Sequence, residues 1–82
     1  MTTVTLYGRE GCHLCDEARE GLLRLRRDGA RFELTEVDIE RDDELHARLL
    51  ELIPVIEVDG ERVSELIFEP DAILARTGTL SE

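Results

Sequence analysis

The chain contains no lysine. All ten of its basic residues are arginine, a bias we read as codon usage without functional weight. It has no apolar run near the ~18 residues of a membrane span. Its start, Met1-Thr2-Thr3-Val4, carries neither the basic end nor the apolar stretch of a secretory signal. These absences set the expectation of a cytoplasmic chain with no membrane partner. Cysteine is scarce as well: Cys12 and Cys15 are the only two, and they close too small a loop to staple a fold. Positive charge is outnumbered, with 20 acidic residues against 10 basic ones and a net charge of -10. A polyanion of this kind is a poor partner for nucleic acid or for an anionic membrane surface.

What is present fits a small globular domain. The 82 residues make one unit spanning 1–82, with no repeat, linker or low-complexity segment to divide it. A chain this short buries only about 60 % of its unfolded surface, so its stability margin is thin. With no staple available, the core has to come from the apolar residues, which are 41 % of the chain. In a reducing cytosol structural disulfides are rare, which makes the cysteine pair the most informative feature of the sequence.

Val4-Thr5-Leu6-Tyr7 reads as a short strand stopping at Gly8. Cys15, Ala18, Leu22 and Leu25 then recur at three- and four-residue steps, the buried stripe of a helix, with Asp16, Glu20, Arg24 and Arg27 on the other face. Asp28-Gly29 ends that helix. Phe32 to Ile39 reads as a second strand whose apolar phase shifts between Leu34 and Val37, which implies a bulge or burial on both faces. Asp42 or Asp43 caps a short helix carrying Leu45, Leu49 and Leu50. Pro54 to Val58, Asp59-Gly60 and Glu61 to Val63 form a hairpin signal, because Asp-Gly suits a type I′ turn. Pro70 fits the first turn of a last helix that ends before Gly78. The order β-α-β-α-β-β-α implies a parallel pair with a right-handed crossover, extended by an antiparallel hairpin.

Cys12-His13-Leu14-Cys15 falls where the first strand hands over to the first helix. A thiol at a helix N-terminus faces unpaired N–H groups and the positive end of the dipole, which favours the thiolate. The i, i+3 spacing puts Cys15 one turn below, within reach of a disulfide. An exposed N-terminal thiolate attacks a partner disulfide, and a buried second thiol resolves the product. Cys12 is therefore the expected nucleophile and Cys15 the resolving residue. Three alternatives stand beside this reading. Zinc would need Cys12, Cys15 and the distant His46, with His13 squeezed between the thiols. An iron–sulfur cluster could be bridged between two chains. The two cysteines could also be inert core residues.

Leu6 to Ala18, Leu-Tyr-Gly-Arg-Glu-Gly-Cys-His-Leu-Cys-Asp-Glu-Ala, resembles the opening of the glutaredoxin-like proteins of the thioredoxin superfamily, within it the small Cys-His-Leu-Cys group. A second match, Ile53-Pro54-Val55-Ile56-Glu57-Val58-Asp59-Gly60, lies at the distance expected in that family, and the resemblance as a whole runs along nearly the entire chain in the right element order. The resemblance implies an α/β thioredoxin-like fold, a four-stranded mixed sheet with helices on both faces. It also implies a cis Ile53-Pro54 bond beside the cysteines, offering a backbone edge to an extended substrate. The alternative is a trans proline that opens an edge strand. Arg9 stands where glutaredoxins carry a cation that stabilises the thiolate and attracts a carboxylate of the incoming thiol. Otherwise it is a solvated loop residue. His13 is expected to have a modest tuning role. Asp16 and Glu17 suit the first helical turn yet oppose a nearby thiolate.

The sequence departs from the family after the hairpin. Glutathione-using members hold the γ-glutamyl end of glutathione with a Gly-Gly pair, whereas this chain has Ser64-Glu65-Leu66-Ile67-Phe68-Glu69-Pro70-Asp71. Glu65, Glu69 and Asp71 would repel glutathione's carboxylates, and only Arg9 remains of the binding set. The expected function is a thiol–disulfide oxidoreductase that reduces protein disulfides, in electron transport and redox homeostasis. It would act as a monomer without a cofactor beyond the redox-active Cys12–Cys15 disulfide. Its reductant would be thioredoxin reductase or a low-molecular-weight thiol, with glutathione third. The competing functions are an iron–sulfur carrier bridging two chains and a non-catalytic thioredoxin-fold interaction module. The acidic runs Glu36 to Glu44 and Glu57 to Asp71 read first as solvated surface, and if functional they would prefer a basic partner. Leu66-Ile67-Phe68 reads first as core beneath the last helix, and otherwise as an apolar lip beside the thiols.

Overall fold

The computed structural model of the chain describes residues 2–79. Along it run β1 (Thr3–Gly8), α1 (His13–Arg27), β2 (Ala30–Arg31), β3 (Glu33–Asp38), a 3-10 turn (Ile39–Arg41), α2 (Asp43–Leu49), β4 (Val55–Val58), β5 (Glu61–Glu65), α3 (Pro70–Leu74) and β6 (Gly78–Thr79). The main sheet has the order β3-β1-β4-β5. β1 and β3 run parallel, and α1 lies in the connection between them, as a parallel pair requires. β4 runs antiparallel to β1 and to β5.

Alternation along the strands covers this sheet on both sides. Val4, Leu6, Ile56 and Val58 pack with Ala18 and Leu22 of α1 and Ile73 of α3. Val55, next to Ile56 and pointing the other way, joins Ile39, Leu49 and Ile53 on the face of α2. Cys15 is on α1 but belongs to this second group, so the two halves of the core approach each other at the cysteine pair. The layers and strand order are those of a thioredoxin-like α/β fold, as the sequence led us to expect.

Local chemistry explains the boundaries. Asp42, not Asp43, caps α2: its Oδ1 accepts from the N–H groups of Glu44 at 2.9 Å and Leu45 at 3.1 Å. Pro70 opens α3. Arg24, Arg26 and Arg27 occupy the last turn of α1, where cations suit the dipole. In the hairpin, Asp59 (φ 52°) and Gly60 (φ 88°) are both left-handed, as a type I′ turn requires.

Two expectations are corrected. The strand expected over Phe32 to Ile39 is two pieces, β2 and β3, with Phe32 between them turned into the core. Its phase shift reflects burial on both faces, Phe32 on one side and Ile39 on the other, and β3 pairs with β1 without a bulge. The irregularity lies in the hairpin instead, between Ile56 and Glu57. Leu50, expected on the apolar stripe of α2, is its C-cap and is exposed. A short antiparallel pairing of β2 with β6 was not foreseen, because two-residue strands carry no periodicity to read. Among the described residues no helix is long and apolar enough to cross a membrane.

Candidate active site

β1 ends at Gly8, and the turn through Arg9, Glu10 and Gly11 delivers Cys12 to the start of α1. Gly11 has φ +81°, a conformation that favours glycine, and Cys12 N–H bonds back to the Arg9 carbonyl at 3.3 Å. Cys12 is the N-cap of α1, and its Sγ accepts a hydrogen bond from the Cys15 N–H at 3.2 Å. The sulfur thus takes the place of a capping oxygen on one of the helix's unpaired donors. Cys12 and Cys15 form a disulfide with Cα atoms 5.2 Å apart. Cys12 is half-buried, and Cys15 is 1 % exposed.

The room for Cys15 comes from Gly8. A Cβ at Gly8 would lie 3.0 Å from Cys15 Sγ and 3.1 Å from its Cβ, tighter than a side chain tolerates without displacing the cysteine. In the sequence Gly8 signalled only the end of a strand. Behind Cys15 opens a cleft of about 260 Å³, lined also by Gly8, Arg9, Arg19, Glu36 and Asp38. Arg19 spans it, bonded to Glu36 and to Asp16 at 3.2 Å. The hydrogen bond to Glu36 is the main reason that the Arg19 guanidinium holds its proton more tightly than usual.

The Ile53-Pro54 bond is cis, and Pro54 is fully buried. Ile53 shares an apolar group with Cys12 and Cys15, so the proline segment and the cysteine pair are brought together. The Ile53 N–H is already committed to the Leu49 carbonyl at 3.0 Å, and the Pro54 carbonyl accepts from the Leu66 N–H at 3.0 Å. Among the described residues no hydrogen bond ends on the Ile53 carbonyl, so that carbonyl is the open group of the expected backbone edge.

The charged residues singled out from the sequence are engaged elsewhere. Arg9 pairs with Glu40 of the 3-10 turn at 3.4 Å, and both side chains are more than two-fifths exposed. His13 points outward, 88 % exposed, with its Nε2 3.0 Å from Glu17 Oε2. His46 is not gathered with the thiols: among the described residues no group of three or more His, Cys, Asp or Glu could hold a metal ion. On the α2 side of the sheet the Tyr7 hydroxyl donates to Glu57 Oε1 at 3.1 Å. Burial first, and then the neighbouring Glu57 carboxylate, raise the Tyr7 phenol above its ordinary value.

The Leu66-Ile67-Phe68 segment divides. Phe68 turns inward against the core and lies over Gly21 of α1, where a Cβ would come within 2.8 Å of ring atoms Cδ2 and Cζ. Leu66 and Ile67 are exposed, which corrects the expectation that the whole segment is core. Sequence reading missed the roles of Gly8, Gly21 and the left-handed Leu66 (φ 68°). No local signal marks a clearance set by a distant ring or thiol.

The geometry has close parallels. The solution structure of protein Ne2328 from Nitrosomonas europaea superposes with a TM-score of 0.80 at 28 % identity, covering 94 % of this chain and 92 % of that one. An X-ray structure of protein XcR50 from X. campestris gives a TM-score of 0.71 at 30 % identity, over 88 % of this chain and 91 % of that one. Oxidised thioredoxin from Plasmodium falciparum, at 16 % identity, shares the fold, with a TM-score of 0.58 over 88 % of this chain and 73 % of that one. No curated protein sequence matches the chain. The model of the glutaredoxin-like domain (DUF836) matches residues 3–76, which takes in the cysteine pair, the cis-proline and all three helices. With its Cys12–Cys15 disulfide at the head of α1, this redox thiol protein belongs to that glutaredoxin-like family of the thioredoxin superfamily.

Proposed function

We propose that the chain is a dithiol oxidoreductase that reduces disulfides in other proteins, with Cys12 attacking and Cys15 resolving. The observation that carries this reading is the asymmetry of the pair: Cys12 is half-buried at the N-cap with an N–H on its sulfur, while Cys15 is enclosed. When the pair is reduced, that hydrogen bond and the helix dipole favour a thiolate on Cys12. The thiolate attacks one sulfur of a substrate disulfide and expels the other as a thiolate, which takes up a proton. Cys15 then gives up its proton and attacks Cys12 Sγ. The Cys12–Cys15 bond forms and the second substrate thiol leaves. Two electrons and two protons pass from the chain to the substrate, so each turnover needs a two-electron donor to restore the dithiol.

Thioredoxin reductase or a low-molecular-weight thiol other than glutathione is the donor we favour. Ser64, Glu65 and Leu66 occupy the segment where a Gly pair would let glutathione approach the backbone, and Arg9 is already paired with Glu40. The substrate backbone would donate a hydrogen bond to the open Ile53 carbonyl. We place this activity in the cytoplasm and assign it to a monomer.

The test is a protein-disulfide reduction assay supplied either by NADPH and thioredoxin reductase or by glutathione and its reductase. Cys12→Ser should abolish turnover, and Cys15→Ser should trap a mixed disulfide visible by mass spectrometry. Full activity in Cys12→Ser would overturn the mechanism, whereas no turnover by the wild type with either donor would favour a non-catalytic interaction module. Visible absorbance in the purified protein would favour a bridged cluster. Glutathione-supplied turnover as fast as with thioredoxin reductase would overturn the choice of reductant.

A further inference from the structure

Beside the cysteine pair the fold keeps a patch of apolar surface uncovered. Leu14, between the two cysteines, is 50 % exposed, Leu66 is 44 % and Ile67 is 69 %. With Glu17 and the inward-turned Phe68 they line one cleft of about 220 Å³. The backbone holds this shape. The Leu66 N–H reaches the carbonyls of both Leu52 (2.9 Å) and Pro54 (3.0 Å), tying the lip to the cis-proline segment. Leu66 adopts a left-handed φ of 68°, a conformation that a branched side chain holds only when its surroundings impose it. Phe68 anchors the far side over Gly21, where any larger residue would meet its ring. The lip is therefore built outward; it is not a core segment left loose.

Its rim is acidic. Glu65 precedes the lip, Glu69 and Asp71 follow it, and Glu17 lies across from it on α1. No basic residue occurs between Arg62 and Arg76. Glu69 is the N-cap residue of α3, yet its side chain makes no capping hydrogen bond, which leaves the carboxylate free to face solvent or a partner. Arg62 meets only Glu65 of this set, at 3.1 Å.

We propose that the Leu14, Leu66, Ile67 and Phe68 lip and its acidic rim form a docking surface for a cationic polypeptide. The occupant is a disulfide-bearing segment with an apolar side chain beside its half-cystine and Arg or Lys within a few residues. The apolar side chain fills the cleft while the cations meet Glu69, Asp71 and Glu17. The inference rests on the oxidoreductase reading and names its substrate class.

Two disulfide peptides that share a Leu-Cys centre but carry either Arg or Glu flanks provide the test. Reduction of each by the wild-type protein is measured at low and high salt, beside a neutral small disulfide. Affinity of the Cys→Ser forms of both peptides for the oxidised protein is measured by fluorescence anisotropy. The Arg peptide should be preferred by about tenfold or more in kcat/KM at low salt, and the gap should close at high salt. The Glu69→Lys/Asp71→Lys variant should remove that preference. Asp28→Lys/Glu33→Lys makes the same charge change at the C-terminal end of α1 and the start of β3, and should retain it. Ile67→Ser should weaken both peptides alike. Equal treatment of the two peptides, or equal loss in the near and distant variants, would overturn the docking surface and leave only net charge. If even the neutral disulfide is not reduced, the oxidoreductase reading fails, and the anisotropy comparison alone decides the surface.

Discussion

Gly8 and Tyr7 are neighbours in β1 with opposite duties. Gly8 clears space for Cys15, so Gly8→Ala presses a Cβ against the buried sulfur at 3.0 Å. Overpacking of that kind costs about 1–3 kcal/mol. We expect denaturant midpoints to fall accordingly and disulfide reduction to slow further, because the residue that gives way is Cys15. An unchanged reduction rate would show that the crowding is absorbed elsewhere. Tyr7 is the only tyrosine and the chain has no tryptophan, so absorbance near 295 nm reports this phenol alone. Its proton is held above the ordinary value in the fold, by burial and then by Glu57. The folded state thus binds the proton more tightly than the unfolded one. The resulting stability is present below the unfolded phenol's value and is lost as pH rises through the folded one. The titration should lie above that of a free tyrosine and shift back toward it in Glu57→Gln.

At the scale of elements, α2 shows how a short helix depends on one cap. It has seven residues, too few to persist by propensity, and it holds the second half of the core through Leu49. Asp42 Oδ1 satisfies two of its N–H groups, so Asp42→Ala should cost about 1 kcal/mol. Asp43→Ala, one residue on, should cost clearly less. Equal losses in thermal melts would mean that first-turn charge, and not the cap, carries the effect. β5 contains a different case. Ser64 Oγ is buried without a hydrogen-bond partner among the described residues, so Ser64→Ala should leave stability unchanged or raise it by about 1 kcal/mol. A substantial loss would reveal a partner for that hydroxyl.

For the whole molecule the governing quantities are small size and a net charge of -10. Exposed ion pairs such as Arg9–Glu40 contribute about 0–1 kcal/mol each, and they leave most of the acidic surplus unopposed. Self-repulsion of that surplus works against the compact state, and salt screens it within about 10 Å at 0.1 M. Salt weakens the pairs and the repulsion together, and with twice as many acids as bases the repulsion is the larger. Raising salt from about 20 to about 200 mM should therefore lift the melting midpoint by a few degrees, about what half a kcal/mol produces in a domain of this size. A falling midpoint would mean that the ion pairs outweigh the net charge.

Features set within a few residues were legible in the sequence. The helix stripe through Ala18 and Leu22, the Asp59-Gly60 turn, the cap before α2 and the placing of Cys12 at a strand–helix junction follow from periodicity and short-range hydrogen bonding. The cis form of Ile53-Pro54 came from family resemblance and agrees with the structure. Tertiary structure alone decided that Arg9 meets Glu40, 31 residues away, that Gly8 makes room for Cys15, and that Phe68 settles over Gly21 while Leu66 and Ile67 stay outside. Such outcomes depend on which surfaces packing brings together, and a side chain's own neighbours in the chain carry no record of that. The scarcities at the start mark the same division. Two cysteines and an excess of acid were countable from the sequence, but where the acid stands around the cysteines is a property of the fold.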